Sequence, residues 1–365
     1  MIDSDCPIIR LSDPSAWTIH CYFDITPESP GGRRVAMFRI APDKASGQVL
    51  VVNADGTDRR EVGEPIVAPM GPNWHHGEAA QQWLDDRRIV HNRVRADGRP
   101  ISAIVDVDTG ELRTLDVTVR MIHPSRPLGI TSSHEMNLGT GGDGEPQAVF
   151  KVDLDSGAVR RLFDVNDVLA IHPLAEVARR YDMRFKHTKW SPDGTRFLVV
   201  FHNEHLRDVH RGPDRVKSII LADADGGTLR YLGEFGHHPM WSPDGRDVLT
   251  YERRADGGQS LVARPADGGE RRTLLDPAPG AHGSLDPAAT TLVTDTVPGP
   301  GGGDGAVFTL DLATGARRTL ATFTHPPISL DHRVHPHPAW SRDGRRVYFN
   351  AAPDGTAQVF AVEVE

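Results

Sequence analysis

Cysteine is almost absent from this chain of 365 residues, which carries only Cys6 and Cys21. Two thiols exclude a disulfide framework and a four-cysteine zinc site, and leave at most one optional bridge. Long apolar runs are missing too: no stretch reaches the roughly 18 residues that read as a membrane-crossing helix. Met1–Arg10 lacks the basic and apolar regions of an export leader. A cytoplasmic protein outside the membrane is therefore expected. Basic clusters are also lacking, and the formal net charge is −9, which argues against nucleic acid and anionic membrane surfaces as partners. What is plentiful is glycine, 36 residues, and proline, 28 residues, the punctuation of many short strands and tight turns.

The length would suit two domains or one large repeat architecture, and repeats decide between them. Trp190-Ser-Pro-Asp-Gly, Trp241-Ser-Pro-Asp-Gly and Trp340-Ser-Arg-Asp-Gly each precede a β-branched or aromatic run. Weaker copies start at Ser29, Trp83, His123 and Leu285, which makes seven. After each comes a strand, an acidic turn and a basic strand, clearest over Ala103–Leu115, Val149–Leu162, Ile219–Leu232 and Val307–Leu320. The acidic turns lack the twelve-residue frame of a calcium loop. Four strands per module at this spacing predict an all-β fold, a seven-bladed β-propeller occupying residues 1–365 as a single domain. The last copy is one strand short, and Ile8–Leu11 is spare. An N-terminal strand in the last blade would close the ring and remove its open edges. A helix is expected over Val165–Arg180, in the longest irregular interval.

The strand entering each Trp is the innermost of its blade. Counting back three positions gives His187, His238, His282 (from Leu285) and His337 in four consecutive copies. Strand alternation puts His335 on the same face as His337, and His332 stands just before them, so Asp331–Pro338 offers three imidazoles. Clustered neutral imidazoles are satisfied by a divalent metal, or else by a water-filled channel. The candidate metal ligands are His282, His332, His335 and His337, with Asp331 or Asp295 able to substitute or to support them. Such a cation acts as a Lewis acid next to developing charge. Neither a Gly-x-Ser-x-Gly elbow nor a serine triad is visible, and no close carboxylate pair suggests a glycosidase.

These residues resemble the propeller-type polysaccharide lyases, in particular the oligogalacturonate lyase family. The likeness rests on His335–Gly344, the His282 segment, Gly236–Gly245, Phe201-His-Asn-Glu-His and Pro213-Asp-Arg-Val. It implies a metal bound by three histidines and a glutamine, here His282, His335 and His337, with His332 in the glutamine's place. Manganese is the implied ion, with zinc or another divalent cation as alternatives given that departure. It also implies cleavage of uronate-containing oligosaccharides by β-elimination. His238 would be the general base, with His187 and His237 as the other candidates, and Arg215 would bind or polarise the substrate. His202 and His237 would contact the sugar.

The N-terminal half is similar to the ulvan lyases through Gln81-Gln-Trp-Leu, Arg88-Ile-Val-His-Asn and Ala103–Glu111. Those enzymes imply a histidine–tyrosine centre, for which Tyr181 stands in unmatched context. Asn73-Trp-His-His-Gly77 offers His75 and His76 as substrate contacts. Two other functions compete. One applies the same groups to elimination or epimerisation of another carboxylate substrate. The other is a non-catalytic TolB-like binding propeller, which would have no reason to concentrate imidazoles on its axis.

Overall fold

The computed structural model describes residues 2–42, 46–67, 79–137, 146–210, 212–299, 301–327 and 334–364. Strands follow the Asp-Gly turns because those turns are locally determined. In the fourth copy Ser191 Oγ donates to Asp193 Oδ1 at 2.6 Å, and Asp193 Oδ1 accepts the Thr195 N–H. Gly194 then takes φ 70°, a region that costs side-chain-bearing residues energy. A Cβ at Gly194 would also collide with the His123 ring. Ser242/Asp244/Gly245 and Ser341/Asp343/Gly344 repeat the device. The strand that follows, Arg196–His202, is buried from Phe197 onward, so its apolar run is continuous because both faces are covered.

Packing divides the chain into two compact units, Leu115–Ala278 and the combination of Met1–Thr114 with Pro279–Glu365. The Leu115–Ala278 unit contains three antiparallel four-stranded sheets, each in chain order. One runs through Met121–Ile122, Leu128–Ser132, Ala148–Asp153 and Val159–Asp164; the next through Arg184–Trp190, Arg196–His202, Lys217–Asp223 and Leu229–Glu234. The last runs through His237–Trp241, Asp247–Arg253, Gln259–Pro265 and Arg272–Leu275. Phe163, Phe185, Phe197 and Phe201 fill the core between the first two.

In the other unit an eight-stranded sheet consists of two four-stranded meanders joined at one residue pair, Val67 opposite Val94. A five-stranded sheet follows Gly283–Leu285, Thr291–Thr296, Gly303–Asp311 and Arg317–His325, with Ile2–Asp3 added at its outer edge. The final sheet, Ala339–Trp340, Arg346–Ala351 and Gln358–Glu363, receives Ile8–Arg10 as its fourth strand, Ile8 opposite Val362. The spare N-terminal strand therefore completes the short last copy. The architecture is all-β, multi-bladed and propeller-like.

Three of the tryptophans tie successive copies together. Trp241 Nε1 donates to the Lys189 carbonyl at 3.1 Å, Trp340 Nε1 to Ser284 at 3.1 Å, and Trp83 Nε1 to Pro27 at 2.8 Å. Trp83 and Trp340 are buried and Trp241 half-buried, each with its polar tip satisfied. The interval after Asp164 holds two short helices, Val165–Leu169 and Ala175–Ala178, in place of one long helix. Asp164 caps the first through the Asn166 and Asp167 amides. Pro173, lacking an N–H donor, lies in the break between them. Cys6 and Cys21 are not bridged. No described helix is long and apolar enough to cross a membrane.

Candidate metal centre

His282 precedes the strand Gly283–Leu285, and Asp295 on the neighbouring strand Thr291–Thr296 grips it twice. Asp295 Oδ1 accepts the His282 N–H at 3.0 Å, and Oδ2 lies 2.9 Å from His282 Nδ1. The same Oδ2 accepts the His337 N–H at 3.3 Å. A fully buried carboxylate, 0% exposed, thereby fixes two histidine-bearing segments. With both Asp295 oxygens accepting backbone N–H groups, His282 carries its hydrogen on Nδ1, toward Oδ2, and presents the Nε2 lone pair. His335 Nδ1 lies 3.4 Å from that Nε2.

One nitrogen from each of His282, His335 and His337 lies within 4.8 Å of the others. Imidazole nitrogens about 2.0–2.1 Å from a shared cation would be roughly 3 Å apart. The His282–His335 pair, at 3.4 Å, is already near that separation. Three nitrogen donors, one oriented by a carboxylate, suit a divalent transition ion. The residues fit the metal.

His337 joins this group for a reason other than strand alternation. Residues 334–338 are not in a strand, and His337 has φ 47°. The left-handed backbone, costing about 1–2 kcal/mol, turns its ring toward His282, with centroids 4.4 Å apart. Asn350 supports the segment, accepting the His20 N–H at 3.0 Å, donating Nδ2–H to the His335 carbonyl at 3.3 Å, and donating its own N–H to Pro336 at 2.9 Å. His332, with Asp331, lies outside the described residues, as do His75 and His76.

The sequence does not flag Tyr22 and Phe23, which pack on the same histidines. Tyr22 stands edge-on to His337 with centroids 4.7 Å apart, and Phe23 lies 5.7 Å from His282. Their only signal is an aromatic pair in the segment leading into the first copy. Tyr181, by contrast, is a structural residue whose hydroxyl donates to Asp214 Oδ2 at 2.6 Å.

In the Leu115–Ala278 unit, His187 and His238 share the left-handed backbone, with φ 55° and 53°. Each falls at a register shift, between Lys186 and Lys189 and between His237 and Met240. These kinks turn the third residue before each Trp out of regular alternation. His237 Nδ1 is 2.8 Å from His238 Nδ1, and His237 Nε2 is 2.9 Å from Gln259 Oε1.

Arg215 is committed to Glu204, donating from Nε at 3.1 Å and from Nη2 at 2.9 Å. Lys186 and Lys217 each approach the other Glu204 oxygen at 3.1 Å. Burial alone would raise the Glu204 pKa, but these cations outweigh it and hold the carboxyl well below its usual range. Burial likewise pulls Lys217 down to about 8, against the attraction of Glu204. Glu204, Arg215, Lys217, Glu234, His237 and Glu252 line a cavity of about 650 Å³. Burial raises the Glu234 pKa. His202 is buried, with Nδ1 accepting the Glu204 N–H at 3.2 Å and Nε2 without a partner among the described residues.

No family model matches the sequence, and no curated protein does either. Solved structures do. An oligogalacturonate lyase in complex with manganese superimposes with TM-score 0.67 at 14% identity, covering 99% of this chain and 94% of that one. The oligogalacturonate lyase of Vibrio parahaemolyticus gives TM-score 0.69 at 13% identity, covering 100% and 97%. The β-propeller domain of the Trilobed protease from Pyrococcus furiosus gives 0.54 at 14% identity, covering 96% of both. Across its full length this chain therefore shares the propeller fold of the oligogalacturonate lyases.

Proposed function

We propose that this protein is a metal-dependent lyase that cleaves uronic-acid-containing oligosaccharides by β-elimination. Its sheets are the blades of one seven-bladed ring closed by Ile8–Arg10, and the soluble, acidic substrate is met in the cytoplasm. The observation that carries the reading is the trio His282, His335 and His337, organised by the buried Asp295. A divalent ion bound there, manganese or a similar one, supplies Lewis-acid stabilisation to a carboxylate and the charge that develops beside it. His332 is the proposed fourth ligand.

The chain's own groups supply the rest of the reaction. Arg215, with Nε and Nη2 held by Glu204, offers Nη1 to the uronate carboxylate and so adds to the charge neutralisation that acidifies C5. His238, as a neutral imidazole, takes the C5 proton. The C5–H electrons form the C4–C5 double bond, and O4 leaves with the C4–O4 pair and takes up a proton. No water is consumed. His187 is a second proton-transfer group, while His202, His75 and His76 contact the sugar.

Manganese-loaded protein given oligogalacturonate should produce the ultraviolet absorbance of an unsaturated uronate. Chelation should abolish the rise and added manganese should restore it. Loaded protein that leaves oligogalacturonate and ulvan oligomers intact would overturn the reading.

A further inference from the structure

The strand His237–Trp241 opens on two imidazoles whose Nδ1 atoms are 2.8 Å apart. Two ring nitrogens so close share one proton, donated by one ring and accepted by the other. The direction is set at the far end of the chain of contacts. His237 Nε2 faces Gln259 Oε1 at 2.9 Å, and an amide oxygen only accepts. His237 therefore carries its hydrogen on Nε2 and, when neutral, keeps the lone pair on Nδ1. His238 must donate from Nδ1, which makes its Nε2 the basic nitrogen.

We propose that Gln259 and His237 form a positioning relay that locks His238 in the tautomer a general base requires. The proposal rests on the reading of His238 as the base. The relay is held rigidly from several sides. Gln259 pairs with Arg253 in the sheet, and its carbonyl accepts the Ala278 N–H at 2.8 Å. His237 stacks on the buried Tyr251, with centroids 5.3 Å apart and planes at 14°. Gly236 permits this approach, since a Cβ there would collide with the Tyr251 carbonyl oxygen. The left-handed backbone of His238 then presents its ring to its neighbour. Gln259 is neutral, so through His237 it orients the base by hydrogen bonding alone. When His238 takes up a proton, His237 Nδ1 continues to accept its Nδ1–H.

The reversed polarity needs the Gln259 amide turned over so that its Nε2–H donates to His237 in place of the Oε1 contact, and it would put the hydrogen on His238 Nε2, where no proton could be accepted. Full-length protein labelled with 15N-histidine distinguishes the two by long-range proton–nitrogen correlation, with assignments from His237→Asn and His238→Gln. The expected spectrum shows His238 protonated at Nδ1 and bare at Nε2, with His237 the opposite. A hydrogen on His238 Nε2 would overturn the relay. Gln259→Lys, a pure donor, should reverse both tautomers and lower kcat at least about 100-fold. Gln259→Leu should mix the tautomers and lower kcat roughly tenfold with KM unchanged. Unchanged tautomers in both variants would also overturn it. If the tautomers are as stated and no uronide is cleaved, the lyase reading fails and the relay stands. If uronides are cleaved while His238 carries its hydrogen on Nε2, the relay fails and the lyase reading stands.

Discussion

Acidified from pH 7 to pH 4, the metal-free protein should unfold cooperatively while taking up several protons. His20, His91, His172, His202 and His325 are each at most 5% exposed. Burial pushes the pKa of each down from 6.5, to about 4 for four of them and to about 2 for His202. The sign follows from comparing the two states. Between pH 6.5 and the folded values, the unfolded chain binds these protons and the native state does not, so stability falls as pH falls. Full stability is present above pH 6.5, and each group contributes a loss of about 1.4 kcal/mol per pH unit below it. Five such groups remove roughly 7 kcal/mol per unit, against a total of about 5–15 kcal/mol for an ordinary domain. The expected midpoint, followed by near-ultraviolet circular dichroism, lies between about pH 5 and pH 4. A native spectrum retained at pH 4 would show that these imidazoles titrate normally in the folded state.

His238→Gln should lower turnover of a uronide by about 10²–10⁴-fold, the range that a positioned general base supplies. Metal uptake should be unchanged, because His238 is not one of the three clustered histidines. Glutamine keeps a side-chain N–H that can still donate to His237, so packing around the pair is largely preserved. Steady-state kinetics with metal analysis on the same samples separates the two effects. Full turnover in the variant would remove His238 as the base and turn attention to His187, which occupies the same kinked position one copy earlier.

The repeats made the sheets legible, because a Ser-Pro-Asp-Gly turn is set by local hydrogen bonds and an apolar run must follow it into the core. The spare strand at Ile8 was legible from a missing one at the other end. The sequence also names the three histidines that the structure brings together, although alternation is the wrong reason for His335 and His337. Positive φ at His337, His238 and His187 is a tertiary outcome with no glycine or asparagine to announce it. Tyr22 and Phe23 were hidden because they enter from a loop outside the repeat pattern. The partnership of Gln259 with His237 crosses from one strand to another 22 residues away, and no periodicity encodes it. Arg215 was visible as a residue, but its capture by Glu204 was not.

Calorimetric titration of the metal-free chain with manganese tests the centre most directly, run beside His282→Ala and His337→Ala. Wild type should take up one ion per chain, and neither variant should bind with comparable affinity, since each loses one of three nitrogen donors. A wild-type chain that takes up no divalent ion, or variants that bind as tightly as wild type, would contradict the metal centre and the lyase chemistry built on it.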